Sequence, residues 1–190
     1  MQSRVLQLGN PKLRKKSKPV LKKEIHSENI KKILSEMKGI LNKVQSIYRW
    51  PVFGLSAPQV GILKRITVID YKGNMNELIN PKVIYRSPKT FTRRDGCLSF
   101  FFLRGTVIRN YKIIVEALDK NGEKIAIEAE DYFSRVIQHE IDHLNGILYL
   151  DRIKRNQLKS LTSVDVCYKD NPKKLEKIYK IIDFVKSPKQ

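Results

Sequence analysis

From residue 28 to 48 the apolar positions fall at three- and four-residue steps: Ile30, Ile33, Leu34, Met37, Ile40, Leu41 and Val44. That spacing predicts an amphipathic helix with one face on a core, and Ser27 is placed to cap its first turn. The pattern then changes. The runs 65–70, 77–85, 106–119 and 123–130 are β-branched and of strand character, the last two joined through Lys120-Asn121-Gly122, a hairpin signal. Residues 132–144 return to helical spacing, with Val136, Ile137 and Leu144 as apolar positions. Beyond Asp151 the chain turns polar, and 172–186 is predicted to form one further basic amphipathic helix. No internal repeat is present. Helices flanking antiparallel strands predict an α+β fold.

Length adds a bound: 190 residues suit one compact domain with an appended terminal element. No apolar stretch approaches the roughly 20 residues that span a bilayer, and the N-terminus lacks a signal peptide's apolar core, so a soluble, cytoplasmic protein is expected. Two cysteines, Cys97 and Cys167, are too few for a disulfide framework and fit a reducing compartment. The formal charge of +19 is concentrated at the ends: residues 1–23 hold eight Lys/Arg and no acid, and residues 152–190 hold eleven against four. Basic ends without a strongly apolar face favour a polyanion, RNA or the ribosome, over a membrane. The plainer alternative is a lysine-rich solvated surface.

Candidate chemistry centres on QHEIDHLNG, residues 138–146. On a helix, His139 and His143 share a face and can present both imidazoles to one ion, with Glu140 beside them to take a proton from a metal-bound water. A catalytic site of this kind needs a third ligand and an open position. No histidine follows His143, and the downstream acids form no recognisable motif. Upstream, RRDGCLS sets Cys97 directly after Gly96, where backbone can approach an ion closely; a small buried hydrophobe is the competing role for a single cysteine. In FGLSAPQVG, Gln59 is by itself a turn residue, but beside a metal-bound nucleophile its carboxamide N–H suits an oxyanion.

Taken together, VFGLSAPQVG, DGCLS and QHEIDHLNG resemble the three ordered motifs of the peptide deformylases, G-x-G-L-A/S-A-x-Q-x-G, E-G-C-L-S and Q-H-E-x-D-H-L-x-G. The opening GNPKLRKKSKPV, INPKVI, and GILYLDRI after the histidine motif are also similar to that family, over roughly residues 5–153. The resemblance implies antiparallel strands packed around a central metal-binding HExxH helix, with an N-terminal helix and a C-terminal helix. It implies a catalytic domain over 1–153 and a basic extension over 154–190. Cys97, His139 and His143 would bind one divalent metal ion, with Fe(II) as the native ion and Zn, Co or Ni as alternatives. Glu140 would be the general acid/base, with the Gln59 side chain and the Leu98 backbone N–H holding the oxyanion as metal-activated water releases formate from N-formylmethionyl nascent peptides. Backbone at Gly54 and Gly96 would pair with the peptide. Tyr132, Arg135 and Val136 would line the methionine pocket, with Arg104 near its mouth, although Tyr132 and Val136 suit a plain core equally well. Asp142 would support the site through Arg109, its alternative being a solvated helix charge.

Three departures from the family pattern stand out. Asp95 replaces a glutamate, keeping the charge but shortening the side chain expected to brace the metal loop through Arg109. Val52 replaces a glycine, removing flexibility or a positive φ. Phe101 and Phe102, after Phe100, replace a Pro-Gly turn. These departures leave two other functions open: an impaired deformylase-like protein that binds ribosomes or nascent chains, and an HExxH peptidase.

Overall fold

The computed structural model describes residues 5–48, 52–100 and 104–153. Helix α1, Glu28–Tyr48, occupies the span that its periodicity predicts, and Ser27 Oγ accepts the Ile30 N–H at 3.3 Å as its cap. Five antiparallel strands form the main sheet in the order β1 (Val52–Ser56), β2 (Ile66–Tyr71), β3 (Asn74–Arg86), β6 (Lys112–Leu118), β7 (Lys124–Glu130). Strands β4 (Thr90–Gly96) and β5 (Arg104–Asn110) make a separate ribbon. Helix α2, Asp131–Leu144, carries HEIDH. The architecture is α+β, as expected.

The two helices cover opposite faces of the sheet. Val68 and Ile79 pack with Ile30, Met37 and Leu41 of α1, whereas their neighbours Ile69 and Leu78 pack with Ile137 and Ile141 of α2. Cover on both faces explains why β2, ITVIDY, is buried at five successive positions rather than at every second one. Strand β6 alternates instead, with Ile113, Val115 and Ala117 facing the α2 side.

The predicted strand over 106–119 is two strands in two different sheets, a correction with a local cause. Tyr111 donates its N–H to Lys89 O and accepts the Asp131 N–H, both at 2.9 Å, so the chain steps out of the ribbon there before entering the main sheet. Both legs are β-branched, and periodicity alone does not show the break. Strands β1 and β4 were not foreseen. Strand β3 runs past its predicted bounds at both ends, with Asn80 at φ 55° inside it. The Asn80 amide repays that backbone by pairing in both directions with Val20, at 2.8 Å each. The Lys120-Asn121-Gly122 turn joins β6 to β7 as expected, Asp119 Oδ1 accepting the Asn121 and Glu123 N–H groups. The helix predicted over 172–186 lies outside the described residues.

The N-terminal segment crosses the end of α2, where Ser17 N–H bonds Leu144 O at 2.9 Å. Gly146 makes that crossing possible: at φ 72° it sits so close that an added Cβ would lie 2.4 Å from Arg14 O. Gly146→Ala is therefore expected to destabilise the protein by about 1–3 kcal/mol through left-handed strain and a backbone clash. Thermal unfolding should show a loss of roughly 2–4 °C per kcal/mol; an unchanged midpoint would contradict the crossing.

Candidate active site and metal centre

One turn of α2 separates His139 from His143, and their rings meet edge to face at 4.9 Å between centroids. Cys97 enters from the end of β4, its Sγ 3.1 Å from His143 Nε2. Ligand atoms of the three residues all lie within 4.8 Å of one another. One thiol and two imidazoles could hold a divalent ion at a site that keeps a position for water. Burial holds the His143 pKa well below the ordinary imidazole value, helped by charge on His139, so His143 is a ready neutral ligand. His139 differs: burial opposes its charge, but hydrogen bonds with Asp95 and Cys97 outweigh that and raise its pKa to about 10. An ion arriving at neutral pH therefore displaces a proton. His139 Nδ1 lies 3.4 Å from Asp95 Oδ2, an arrangement that leaves Nε2 for the ion.

Behind the ligands runs a buried chain of opposite charges. Asp95, fully buried, accepts from Arg109 Nη2 at 2.8 Å and from Arg135 Nη1 at 2.7 Å. Arg109 Nη1 then donates to Asp142 Oδ2 at 2.6 Å, and Arg152 Nε reaches the same oxygen at 2.6 Å. Burial works against the Asp95 charge, but His139 and the two arginines hold its carboxyl well below the usual carboxylate range. The short side chain thus reaches both arginines, Arg135 coming from α2 to meet it. Arg135, expected in the methionine pocket, is itself buried and also donates to Arg94 O at 2.9 Å. Asp142 is buried and paired, not a solvated helix charge. Arg152 was not singled out in the sequence; nine residues beyond His143, it bears no spacing relation to the motif.

Glu140 is 2% exposed, and burial pushes its carboxyl above the ordinary value against the pull of His139 and Ser56. Ser56 Oγ donates to Glu140 Oε2 at 2.7 Å. Two positions earlier on the same face of β1, Gly54 leaves room for the carboxylate: an added Cβ would lie 2.4 Å from Glu140 Oε1. Gln59 Oε1 accepts the Ser56 N–H at 2.7 Å, which fixes the amide and turns Nε2 toward Cys97 Sγ at 3.5 Å and Ser99 Oγ at 3.3 Å. Leu98 begins the short 3-10 turn Leu98–Phe100 next to the cysteine. Ser56 and Ser99 are contributions that motif reading passed over; each stands inside a quoted motif, but serine there has no distinctive spacing.

The remaining candidates separate. Gly96 and Arg104 face each other across the β4–β5 ribbon. Val136 is buried in the apolar cluster between α2 and the sheet, and Tyr132 packs at its margin with the Arg135 guanidinium 4.1 Å from its ring centre. Val52 opens β1 opposite Tyr71, an extended position that suits a β-branched residue and needs no positive φ. Phe100 is buried edge-on against Tyr149 at 5.4 Å; Phe101 and Phe102 lie outside the described residues.

An HExxH helix whose two histidines lie with a cysteine within 4.8 Å, a buried carboxylate and an oriented amide form the arrangement of a metal hydrolase. The family model for polypeptide deformylase matches residues 2–159, and the chain belongs to that family. It is 42% identical over 153 residues to the peptide deformylase of Halothermothrix orenii, covering 80% of this chain and 93% of the relative. The crystal structure of the Thermotoga maritima peptide deformylase superposes with a TM-score of 0.71 at 38% identity, covering 80% of this chain and 97% of that one. A plant peptide deformylase PDF1B reaches 0.76 at 29% identity over 97% and 93% of the respective chains. The chain is a metal-dependent amide hydrolase that deformylates nascent polypeptides, and family membership disfavours the peptidase and binding-protein alternatives.

Because Gly54 abuts Glu140, Gly54→Ala should displace the carboxylate while sparing the ligands. The expected result is a fall in kcat of about 100-fold or more, the scale of a lost general base, with metal content and thermal midpoint nearly unchanged. Retained turnover would show that Glu140 tolerates the shift.

Proposed function

We propose that the formyl amide is cleaved between Glu140 on one side and the Gln59 carboxamide and Leu98 N–H on the other, around an ion held by Cys97, His139 and His143. The observation that carries this reading is the fixed Gln59 amide, its Nε2 turned to Cys97 Sγ at 3.5 Å. When bound, the ion supplies Lewis acidity that lowers the pKa of water and polarises the formyl oxygen. Glu140 takes a proton from the attacking water as its oxygen adds to the formyl carbon. Gln59 Nε2 and the Leu98 N–H donate to the formyl oxygen as charge builds there. Glu140 then gives the proton to the departing nitrogen, the C–N bond breaks, and formate and a free N-terminus remain. Its raised pKa favours this relay, since a carboxylate of ordinary acidity takes up a proton less readily.

The formylmethionyl peptide runs extended along the backbone at Gly54 and Gly96, with Tyr132, Arg135 and Val136 toward its first side chain and Arg104 near the mouth. The small formyl hydrogen lets the carbon approach closely. Fe(II) is the native ion in this reading, and zinc, cobalt and nickel are accommodated by the same donor set. Residues 1–153 form the catalytic domain, and the basic extension 154–190 contacts the ribosome. The protein works in the cytoplasm, in keeping with the absence among the described residues of any helix long and apolar enough to cross a membrane.

Glu140→Gln should lower formate release from a formyl-Met peptide by roughly 10²–10⁴-fold with unchanged metal content; equal rates in the Fe(II)-loaded proteins would refute the assignment. Deleting residues 172–190 should weaken salt-sensitive ribosome binding while sparing turnover of small peptides. Equal binding by the truncated protein would remove the ribosomal role.

A further inference from the structure

The two oxyanion donors lie on separate turns, Gln59 on Ala57–Val60 and Leu98 on Leu98–Phe100. Side-chain bonds from Gln59 to Ser99 and Cys97 join the turns directly. A third piece of chain spans both. Leu6 N–H donates to Gln59 O at 2.7 Å, and Leu8 N–H donates to Ser99 O at 3.0 Å. Between them the Gln7 side chain donates from Nε2 to Leu98 O at 3.1 Å, and also to Val5 O at 3.1 Å. Leu6 and Leu8 pack on the apolar cluster of Leu13, Phe100 and Tyr149, which also receives Cys97. Farther along, Lys12 Nζ holds Gly61 O, at the exit of the Gln59 turn, at 3.2 Å.

We propose that residues 6–8 act as a strap that sets the separation of the two oxyanion donors, with Gln7 as a positioning residue for the Leu98 peptide. This rests on the reading of Gln59 and Leu98 as oxyanion donors. A donor stabilises a transition state only at the place where charge develops, and small displacements are costly there while ground-state binding changes little. A segment that merely docked for stability would instead lower the thermal midpoint and metal content along with activity.

Four variants of the full chain, loaded with the same metal, test it. Gln7→Met keeps the length of an exposed side chain but removes its donors. Leu8→Pro removes the N–H that bonds Ser99 O, and Leu8→Ala, which keeps it, is the control for lost packing. Gln59→Ala removes a donor outright. The expected result is a kcat lowered about 3- to 10-fold by Gln7→Met and about 10- to 100-fold by Leu8→Pro, below the roughly 10²- to 10³-fold of Gln59→Ala. KM for a formyl-Met peptide should stay within about twofold of the parent, since only transition-state contacts weaken. Hydrogen exchange at the Phe100 N–H, bonded to Cys97 O at 3.0 Å, should quicken in Gln7→Met and Leu8→Pro but not in Leu8→Ala. If Gln59→Ala lowers kcat while Gln7→Met and Leu8→Pro leave it unchanged, the strap is overturned and the oxyanion reading stands. Unchanged kcat in Gln59→Ala would sink the oxyanion reading and the strap with it. A kcat loss in Leu8→Pro matched by Leu8→Ala, or tracking loss of metal or thermal midpoint, would reduce the strap to packing.

Discussion

Asp95 has no exposed surface, yet its carboxylate meets Arg109, Arg135 and His139. Removing water from a charge costs several kcal/mol, and a carboxylate left alone there would take up a proton. The two arginines and the His139 ring N–H make the buried anion tolerable, and each then inherits a fixed place. Arg109 passes the constraint to Asp142, about one turn along α2 from His139, and Arg152 closes the chain by bonding the same carboxylate. The ribbon, the HExxH helix and the segment after it are thereby tied at one point. Replacing Arg109 or Arg135 would strand the buried Asp95 charge at a cost of about 3–5 kcal/mol, whereas Arg152, its side chain 41% exposed, contributes much less. The network's specific return is the fixed orientation of His139, whose Nδ1 has Asp95 as its partner.

How far the sequence was legible follows from which forces were local. Helix α1 was readable because one face packs on a single layer, and β2 was readable as a strand because both its faces are covered. The break at Tyr111 was not, because two strands of the same composition separate through backbone bonds to Lys89 and Asp131, which no periodicity encodes. Strand β1 was hidden by its own chemistry: Gly54 lowers strand propensity, but the position lacks room for a side chain beside Glu140. The ligands were legible because HEIDH and DGCLS place rare donors at chemically meaningful spacing. Arg152 and Ser56 were not, since Arg152 returns to Asp142 across a turn that no helix or strand spacing describes, and Ser56 meets Glu140 from a segment far away in the chain.

The departures from the family pattern take on different weights in the fold. Val52 occupies the first position of an edge strand paired with Tyr71, where an extended β-branched residue is at home. Asp95 is met by Arg135, which approaches from the preceding turn of α2 and takes up the second carboxylate oxygen. That makes Asp95 and Arg135 one unit: the shorter acid has a cation next to it, and the cation, buried beside Tyr132, has an anion to justify its burial. Phe100 is absorbed by packing against Tyr149, in the same cluster that receives Cys97 from its margin.

The site is therefore built from two mechanically different halves. His139, His143 and Glu140 sit on one helix, locked by apolar packing on the sheet and by the buried charge chain, so their mutual geometry is set by a rigid element. Gln59 and Leu98 sit on short turns that Ala57, Leu98 and Phe100 anchor in the core, and hydrogen bonds then set the donor atoms on them. On the proposed reading, the first half would hold the ion and relay a proton, and the second would set how closely donors match a charge that exists only in the transition state. Perturbing the first half disturbs metal and fold together. On the same reading, perturbing the second would alter rate with little change in either, which would make the turns, rather than the HExxH helix, the part of this fold where catalytic efficiency can drift without loss of the site.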